Sequence, residues 1–501
     1  MKMKIKKNIQ NICKEIDVKA MPFSQILLKS MELFRDNEEN HYCLYDDNGE
    51  KRLFNVNSCD FENLINRIYF RLYKDFILNS DLKKLITGIN ALCADAEYRE
   101  AGTRLLQTGS TDGTDSKIIY NINQHNKIVE VAAEKVEITD NSDCRYLFAD
   151  NHNMLPQVEP DLDSPPEKLL PLIKELFIIS PEDYLIFAVY ICTLFIKDIQ
   201  HPILTAYGDF GSGKSTALKA IKRIIDLSSR DLLFLDQTNK RDFTVALTRE
   251  YFTAFDNVTG KLDDSIMNIL CQVVTGGTIS VRKLFTNTEE VTIPLKRCLA
   301  MNGTEIVGRR NDLLERSMLI YFKRLPEEKS MSDSEYNIKL NSFLPKILGS
   351  IFNVLRKAIA IHDTGNFQLP FKPRMLEWIQ WAYCCAEGIG SGLGDQLCKD
   401  YENNLTNSNA VAVMDNPYIS CVIGYFKEHG DFIGTSTQYY KEIMDYAQAN
   451  GYDTHEKRFP SCITQVWQKM KNYSTNLKKI GIYIYEPVNK GSYRELKILG
   501  R

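Results

Sequence analysis

The sequence lacks several features that would place it in a specialised class of protein. It has 13 cysteines but no C-x-x-C pair, and Cys384 and Cys385 are adjacent, so the thiols form no pattern typical of zinc or disulfide sites. The basic start lacks the apolar core of a signal peptide, and no apolar run reaches the roughly 18 residues that cross a membrane. We therefore expect a cytoplasmic protein with reduced thiols, no zinc and no membrane partner.

The chain as a whole also has no large excess of positive or negative charge. The 501 residues carry a formal net charge of −3, and 44% of them are hydrophobic and 25% charged. This is ordinary globular composition, sufficient for about two to four domains. A nucleic-acid-binding surface must therefore be confined to one part of the chain.

A phosphate-binding motif lies near the centre of the chain. Tyr207–Thr216 reads Y-G-D-F-G-S-G-K-S-T and fills the pattern G-x-x-x-x-G-K-[ST]. A short apolar run precedes the motif and a helical pattern follows it, which predicts a phosphate at a helix N-terminus. Lys214 can reach the β- and γ-phosphates, and the Ser215 hydroxyl can bind Mg²⁺. The residues predicted to line bound ATP are Gly208, Gly211, Ser212, Gly213, Lys214, Ser215 and Thr216.

Three further polar residues lie at the ends of predicted strands. Phe252–Asn257 reads F-T-A-F-D-N, an apolar run that delivers Asp256 to a sheet edge, where it can hold Mg²⁺ with Ser215. A later strand ends in Asn302, whose amide could orient the attacking water. Arg316 lies just before another strand, from which its guanidinium would point towards a neighbouring subunit's nucleotide. The alternative for this arginine is a surface ion pair.

Composition and hydrophobic periodicity change along the chain and predict separate domains. Residues 1–110 indicate a helical N-terminal domain, 111–165 a small β-rich module and 166–400 the ATPase with its lid. The Asn-rich stretch 401–412 is typical of a linker. Residues 413–501 predict three helices followed by a hairpin, which is the pattern of a winged helix. The fold class we predict is multidomain α/β with a parallel-sheet ATPase core.

The end of the chain has a local excess of positive charge. Residues 456–501 contain ten Lys or Arg and three Glu, a net charge of +7 on a chain whose total is −3. Such a patch is typical of a nucleic-acid-binding surface, and a plain solvated face is the alternative.

The order of these motifs resembles the AAA+ module of MCM-like helicases. The likeness rests on the stretches D-N-V, T-G-G, R-K-L-F-T, D-L-L-E-R-S and R-M-L-E-W. It is greatest to the self-loading replicative helicases of bacterial mobile genetic elements, such as staphylococcal pathogenicity islands and cassette elements. The resemblance covers residues 165–390 well and residues before 110 weakly. It implies an AAA+ core of the ASCE class of P-loop ATPases.

The resemblance also implies an activity and roles for individual residues. It implies a homo-hexamer that uses ATP and Mg²⁺ to translocate on single-stranded DNA, 3′ to 5′ by analogy, and to initiate replication. Asn302 would be the first sensor, Arg316 the finger supplied in trans and Arg374 the second sensor. Arg282 and Lys283 on a hairpin would grip the DNA backbone in the pore. The C-terminal residues that would contact duplex or origin DNA are Lys469, Lys471, Lys478, Lys490 and Arg494.

One position departs from the MCM pattern and leaves the general base unassigned. MCM proteins carry Glu where this sequence has Asn257, and Glu250 is a nearby candidate for the base. An alternative function is a DNA-binding ATPase switch that loads another helicase without unwinding. A small-molecule kinase shares the phosphate loop, but the basic C-terminal region and the sensor positions argue against it.

Overall fold

A computed structural model gives the fold of the protein. It describes residues 21–36, 40–47, 50–109, 116–124, 126–149, 153–197, 199–237, 243, 247, 250–258, 262–282, 290–294, 296–308, 310–324, 331–456, 458–491 and 493–500. The multidomain α/β fold predicted from the sequence is confirmed, with a parallel sheet in the central domain. None of the helices in these ranges combines the length and apolarity needed to cross a bilayer.

The N-terminal residues form a three-stranded antiparallel sheet with helices packed against it. The elements are α1 (Phe23–Ser30), β1 (Met31–Arg35), β2 (His41–Asp47), β3 (Glu50–Asn55), α2 (Cys59–Tyr73) and α3 (Asn79–Ala94). The sheet has the order β1-β2-β3. The prediction of a helical domain over 1–110 is corrected by these strands. The aromatic run around Tyr42 and Tyr45 pairs on both sides, and aromatic residues favour strands.

A β-rich module follows, as predicted for 111–165. Its strands are β4 (Ala101–Gly102), β5 (Leu105–Thr108), β6 (Lys117–Gln124), β7 (Lys127–Val131), β8 (Val136–Asp140) and β9 (Leu147–Phe148). Strands β5 to β8 form an antiparallel sheet in chain order. Its buried residues, including Ile118, Tyr120 and Val129, belong to the same hydrophobic core as the central domain. The module and the central domain therefore share one core.

The central domain is built on a five-stranded sheet in which every pair of neighbours is parallel. Its elements are a 3₁₀ helix (Pro166–Lys168), α4 (Leu169–Leu176), a 3₁₀ helix (Pro181–Asp183), α5 (Tyr184–Thr193), β10 (Ile203–Tyr207), α6 (Lys214–Ile225), β11 (Leu233–Phe234), β12 (Phe252–Asp256), α7 (Asp264–Thr275), the hairpin β13 (Thr278–Arg282) and β14 (Glu290–Pro294), β15 (Cys298–Gly303), α8 (Asn311–Leu314) and β16 (Ser317–Tyr321). The sheet order is β11-β12-β15-β10-β16. All five strands therefore end at the same edge.

The β-rich module also caps the C-terminal end of α6. The last carbonyls of a helix have no partner within it. Gln157 donates to the Arg223 carbonyl at 2.8 Å, and the Tyr120 hydroxyl donates to the Ile225 carbonyl at 3.2 Å. Arg104, fully buried, donates to the Leu227 carbonyl at 2.6 Å just beyond the helix. The module thus fixes the far end of the helix that begins at the phosphate loop.

Three long helices complete the central domain and correct the predicted linker. They are α9 (Asp333–Thr364), α10 (Leu376–Ile389) and α11 (Leu393–Asp415). Residues 401–412, predicted as a linker, lie inside α11. Two of their asparagines are buried, because Asn404 and Asn409 are each only 6% exposed. Asn404 accepts from Leu319 N–H at 3.0 Å and donates to Leu319 O at 2.6 Å, so its amide takes the place of a neighbouring strand at the edge of the sheet.

The C-terminal residues form a unit with its own core. Its elements are α12 (Pro417–His429), β17 (Phe432–Thr435), α13 (Ser436–Ala449), α14 (Ile463–Lys471), α15 (Ser474–Lys479), β18 (Ile482–Asn489) and β19 (Arg494–Gly500). An antiparallel sheet of order β17-β19-β18 packs on helices through Tyr418, Tyr439 and Ile498. The predicted element order is present, except that the third predicted helix is divided into α14 and α15.

The amide of Asn404 should contribute strongly to the stability of the central domain. Asn404→Ala leaves the Leu319 N–H and C=O buried without partners, which should lower the free energy of unfolding by about 2 to 4 kcal/mol. Urea denaturation measures this change. Asn403→Ala, at an exposed position of the same helix, is the matched control and should change stability by less than about 0.5 kcal/mol. Equal stability of the two variants would contradict this role of Asn404.

Candidate active site

The phosphate loop connects β10 to α6 and depends on three glycines. Gly208, Gly211 and Gly213 have φ angles of +145°, +70° and +77°, a region that other residues rarely adopt. At Gly208 a Cβ atom would lie 2.2 Å from the Phe322 carbonyl oxygen. The glycines therefore allow the chain to wrap closely around the space where phosphate oxygens would lie.

Lys214 extends its ammonium group back over this loop. Its Nζ donates to the carbonyls of Gly208 and Asp209 at 2.8 and 2.7 Å, and to Ser212 Oγ at 3.1 Å. Burial lowers the pKa of Lys214 from its usual value. The positive charge is thus held at the position from which it can move onto the phosphates of a nucleotide.

Three of the predicted site residues meet at the carboxyl edge of the sheet. Ser215 Oγ donates to Asp256 Oδ1 at 2.6 Å, and Asn302 Nδ2 donates to the same carboxylate oxygen at 2.7 Å. Asn302 is fully buried and its Nδ2 also lies 3.3 Å from Ser215 Oγ. A hydroxyl and a carboxylate oxygen at this separation are the ligand types that Mg²⁺ prefers.

The other end of the Asn302 amide fixes the backbone that follows the acidic strand. Asn302 Oδ1 accepts from the Asn257 N–H at 2.8 Å, and the Asn302 carbonyl accepts from Val258 N–H at 2.8 Å. Asn257 has a φ of +50°, a left-handed conformation that asparagine tolerates. Its side chain is exposed at this edge of the sheet. Asn302 therefore positions both Asp256 and Asn257.

The structure places Glu250 at the opposite edge of the sheet, which corrects its candidacy as general base. It precedes β12, whereas Asp256 ends that strand, and five strand residues span roughly 16 Å. Glu250 is buried and pairs with Lys222 at 2.5 Å, and its burial raises the pKa of its carboxyl group. It cannot reach a water molecule beside Ser215.

Arg316 also lies at the amino edge of the sheet. Its carbonyl accepts from Ile203 N–H at 2.8 Å, at the start of β10, whereas the phosphate loop follows the end of that strand, roughly 16 Å away. The guanidinium donates to the Asp312 carbonyl at 2.5 Å, and the residue is only 9% exposed. Burial lowers the pKa of Arg316. Arg316 is therefore separated from the phosphate loop of its own chain.

Arg374 lies beside Arg316. Its guanidinium contacts Glu315 at 3.2 Å, and its positive charge contributes to the lowered pKa of Arg316. The two predicted arginines are thus brought together at one edge of the domain, while Lys214, Asp256 and Asn302 are brought together at the other.

A cavity of about 240 Å³ next to the phosphate loop was not predicted from the sequence. It touches Ser212, Gly213 and Thr216 on one side. The rest of its lining is largely apolar and comes from α4, from residues after α4 and β16, and from the start of α9; the residues include Phe177, Ile178, Phe322, Met331, Tyr336 and Lys339. The apolar run at 177–179 was the signal for it in the sequence.

The predicted DNA-binding residues fall into three groups. Arg282 ends β13, and Lys283 lies outside the described residues. Lys469 is partly buried and its Nζ donates to the Phe459 carbonyl, and its contact with DNA stays a prediction. Exposed residues on α14, α15 and the turn between β18 and β19 make up the third group, which is Lys471, Lys478, Lys490 and Arg494.

One family of proteins and several solved structures are similar to this chain. Residues 174–403 match the family described as actinomycete integrative conjugative element replication protein. The apo C-terminal region of NrS-1 is 12% identical, over 96% of this chain and 98% of that chain, with a TM-score of 0.40. The structure titled "SCCmec type IV Cch - active helicase" is 11% identical, over 94% of this chain and 93% of that chain, with a TM-score of 0.46. No curated protein matches the chain.

The two acidic candidates should respond very differently to loss of charge. Asp256→Asn removes a carboxylate from the hydrogen-bonded cluster and should lower the ATPase rate by at least about 100-fold. Glu250→Gln changes a residue at the other edge of the sheet and should leave the rate within about three-fold, although it breaks a buried ion pair and lowers stability. Steady-state phosphate release, with folding checked by circular dichroism, measures both. If a folded Glu250→Gln variant is as inactive as Asp256→Asn, Glu250 belongs to the active site.

Proposed function

We propose that the protein is an ATP-driven DNA helicase that initiates replication of a mobile genetic element. The observation that carries this proposal is the cluster of Ser215, Asp256 and Asn302 beside the loop that holds Lys214. A phosphate loop, a carboxylate and an amide at adjacent strand ends are the parts that ATP hydrolysis requires. The match of residues 174–403 to replication proteins of integrative conjugative elements supports the biological setting.

Each residue of the cluster has a distinct proposed role. Ser215 and Asp256 would hold Mg²⁺, which when bound would neutralise charge on the β- and γ-phosphate oxygens. Lys214 and the backbone N–H groups of the glycine-rich loop would hold the phosphates. Asn302 keeps the Asp256 carboxylate in place and would orient the attacking water. The cavity lined by Phe177 and Phe322 would take the base.

The replacement of the usual glutamate by Asn257 is compatible with this chemistry. Phosphoryl transfer passes through a loose transition state, so catalysis rests mainly on positioning and on charge stabilisation. An amide can hold the attacking water even though it cannot take its proton, as the glutamine of small GTPases does. We infer that the exposed Asn257 side chain holds the water, and that Asn302 acts by positioning the Asn257 backbone.

We further propose that the active site is shared between neighbouring subunits of a homo-hexameric ring. Arg316 and Arg374 lie at the amino edge of the sheet and the phosphate loop lies at the carboxyl edge. In a head-to-tail contact, the amino edge of the sheet in one subunit faces the carboxyl edge of the sheet in the next subunit. Repeating this contact closes a ring when the rotation between subunits allows it. In the ring, Arg316 would exchange its contact with the Asp312 carbonyl for the neighbour's γ-phosphate.

DNA contacts in this proposal come from two regions. The hairpin β13–β14 would face the pore, where Arg282 and Lys283 would grip the backbone of a single strand translocated 3′ to 5′. The C-terminal unit would act as a winged helix on duplex or origin DNA through its exposed cations, Lys471, Lys478, Lys490 and Arg494. Phosphate contacts of this kind provide affinity without reading sequence.

Complementation between two inactive variants tests the shared site. Lys214→Ala removes the phosphate-loop cation and Arg316→Ala removes the proposed finger, so each variant alone should hydrolyse no ATP and unwind no forked duplex. In an equal mixture, sites form between the intact loop of one variant and the intact arginine of the other. About a quarter of wild-type ATPase activity should return, because about a quarter of head-to-tail contacts have this combination.

Two controls sharpen this experiment. Lys219→Ala, at an exposed lysine of the same helix as Lys214, should keep both activities. Mixing should be done before DNA and ATP are added, so that subunits can combine. No recovery from a mixture of two folded variants would exclude the shared site. Wild-type protein that hydrolyses ATP on DNA but separates no strands would favour a switch that loads another helicase.

A further inference from the structure

An exposed aromatic pair surrounded by cations lies at the C-terminal end of α2. The rings of Phe70 and Phe76 are stacked, with centroids 5.2 Å apart and an interplanar angle of 30°, although the residues are 43% and 76% exposed. Arg67, Arg71 and Lys74 are also exposed. We call these five residues the α2 surface.

The backbone after α2 is shaped to bring the two rings together. Lys74 has a φ of +56°, a left-handed conformation that helix ends normally assign to glycine, and its N–H donates to the Phe70 carbonyl at 3.0 Å. The Asp75 carboxylate then accepts from the Phe76 N–H at 2.8 Å. The bend after α2 places Phe76 against Phe70. A non-glycine residue in this left-handed conformation has a strained backbone, and such strain is typical of functional positions.

The charges of the α2 surface are of one sign. Between residues 67 and 78 there are three cations and a single acid, Asp75, whose carboxylate caps the turn. Arg67, Arg71 and Lys74 are spaced at i, i+4 and i+7, so they follow one stripe of the helix and its end. Phe70 lies in the same stripe. The surface therefore presents cations along a line, with two aromatic rings beside them.

We propose that the α2 surface binds single-stranded DNA, a role that rests on the proposed helicase function. Non-specific single-strand sites combine cations that follow the backbone with aromatic rings on which bases stack. Duplex DNA is a poorer fit, since its bases are already stacked on each other. The α2 surface gives the strand a contact outside the ATPase domain.

Binding of fluorescent dT20 to the full-length protein without nucleotide tests this proposal. Phe76→Leu keeps an apolar side chain but removes the ring, and should weaken the affinity measured by fluorescence anisotropy about ten-fold. Phe76→Trp keeps a ring and should retain wild-type affinity. Phe234→Leu is the matched control, because Phe234 is 81% exposed on another domain, and it should bind as wild type does.

Three further measurements distinguish phosphate contacts from base stacking. Arg71→Gln should weaken dT20 binding and reduce the salt dependence by about one counterion, as loss of one phosphate contact requires. Binding of a 20-base-pair duplex should be unchanged by Phe76→Leu, because a duplex offers no free base to the ring. Ultraviolet crosslinking of dT20 should label the peptide that contains Phe70 and Phe76.

The outcomes also distinguish this proposal from the helicase function itself. If Phe76→Leu binds dT20 as tightly as wild type, while wild type hydrolyses ATP and unwinds a fork, the α2 surface has no role on DNA and the helicase function stands. If Phe76→Leu and Phe76→Trp lose affinity equally, stacking is excluded. Wild-type protein that neither binds dT20 nor hydrolyses ATP on DNA would overturn both proposals together.

Discussion

The common direction of five strands is the constraint on which the rest of this structure depends. Parallel strands end at one edge, so β10, β12 and β15 deliver the phosphate loop, Asp256 and Asn302 to the same place. The same constraint sends Glu250 and Arg316 to the other edge, roughly 16 Å away. One chain therefore holds the groups proposed to bind a nucleotide and the arginines proposed to complete its site, but at opposite edges of the sheet. The proposed head-to-tail assembly would bring the two edges together without any rearrangement of the sheet.

The site is held by groups outside the phosphate loop as well as within it. Asn302 uses both ends of its amide, one on the Asp256 carboxylate and one on the backbone of Asn257. At the far end of α6, Arg104 and Gln157 of the β-rich module occupy carbonyls that would otherwise lack partners. Because the module and the central domain share a close-packed hydrophobic core, a displacement of one shifts residues of the other. The helix that begins at Lys214 is thus fixed at both ends.

Residues at strand ends could be predicted from the sequence, and residues assembled from distant segments could not. Asp256 and Asn302 lie at the ends of apolar runs, and Ser215 follows the phosphate-loop motif after a third such run. Parallel strands bring these ends to one edge of the sheet. The lining of the cavity next to the loop comes from three segments that only the tertiary fold unites. Asn404 suggested a linker because asparagine is usually solvated, yet its amide satisfies the backbone of an edge strand.

We propose that each ATPase site needs two subunits. The most direct measurement is the ATPase rate per subunit as a function of protein concentration, with single-stranded DNA and saturating ATP and Mg²⁺. A shared site predicts that the rate per subunit rises steeply with concentration and reaches a plateau once the ring is formed, because a lone subunit cannot bring Arg316 to its own phosphate loop. If mass photometry finds only monomers at low concentration and the rate per subunit is still unchanged there, the site is not shared between subunits.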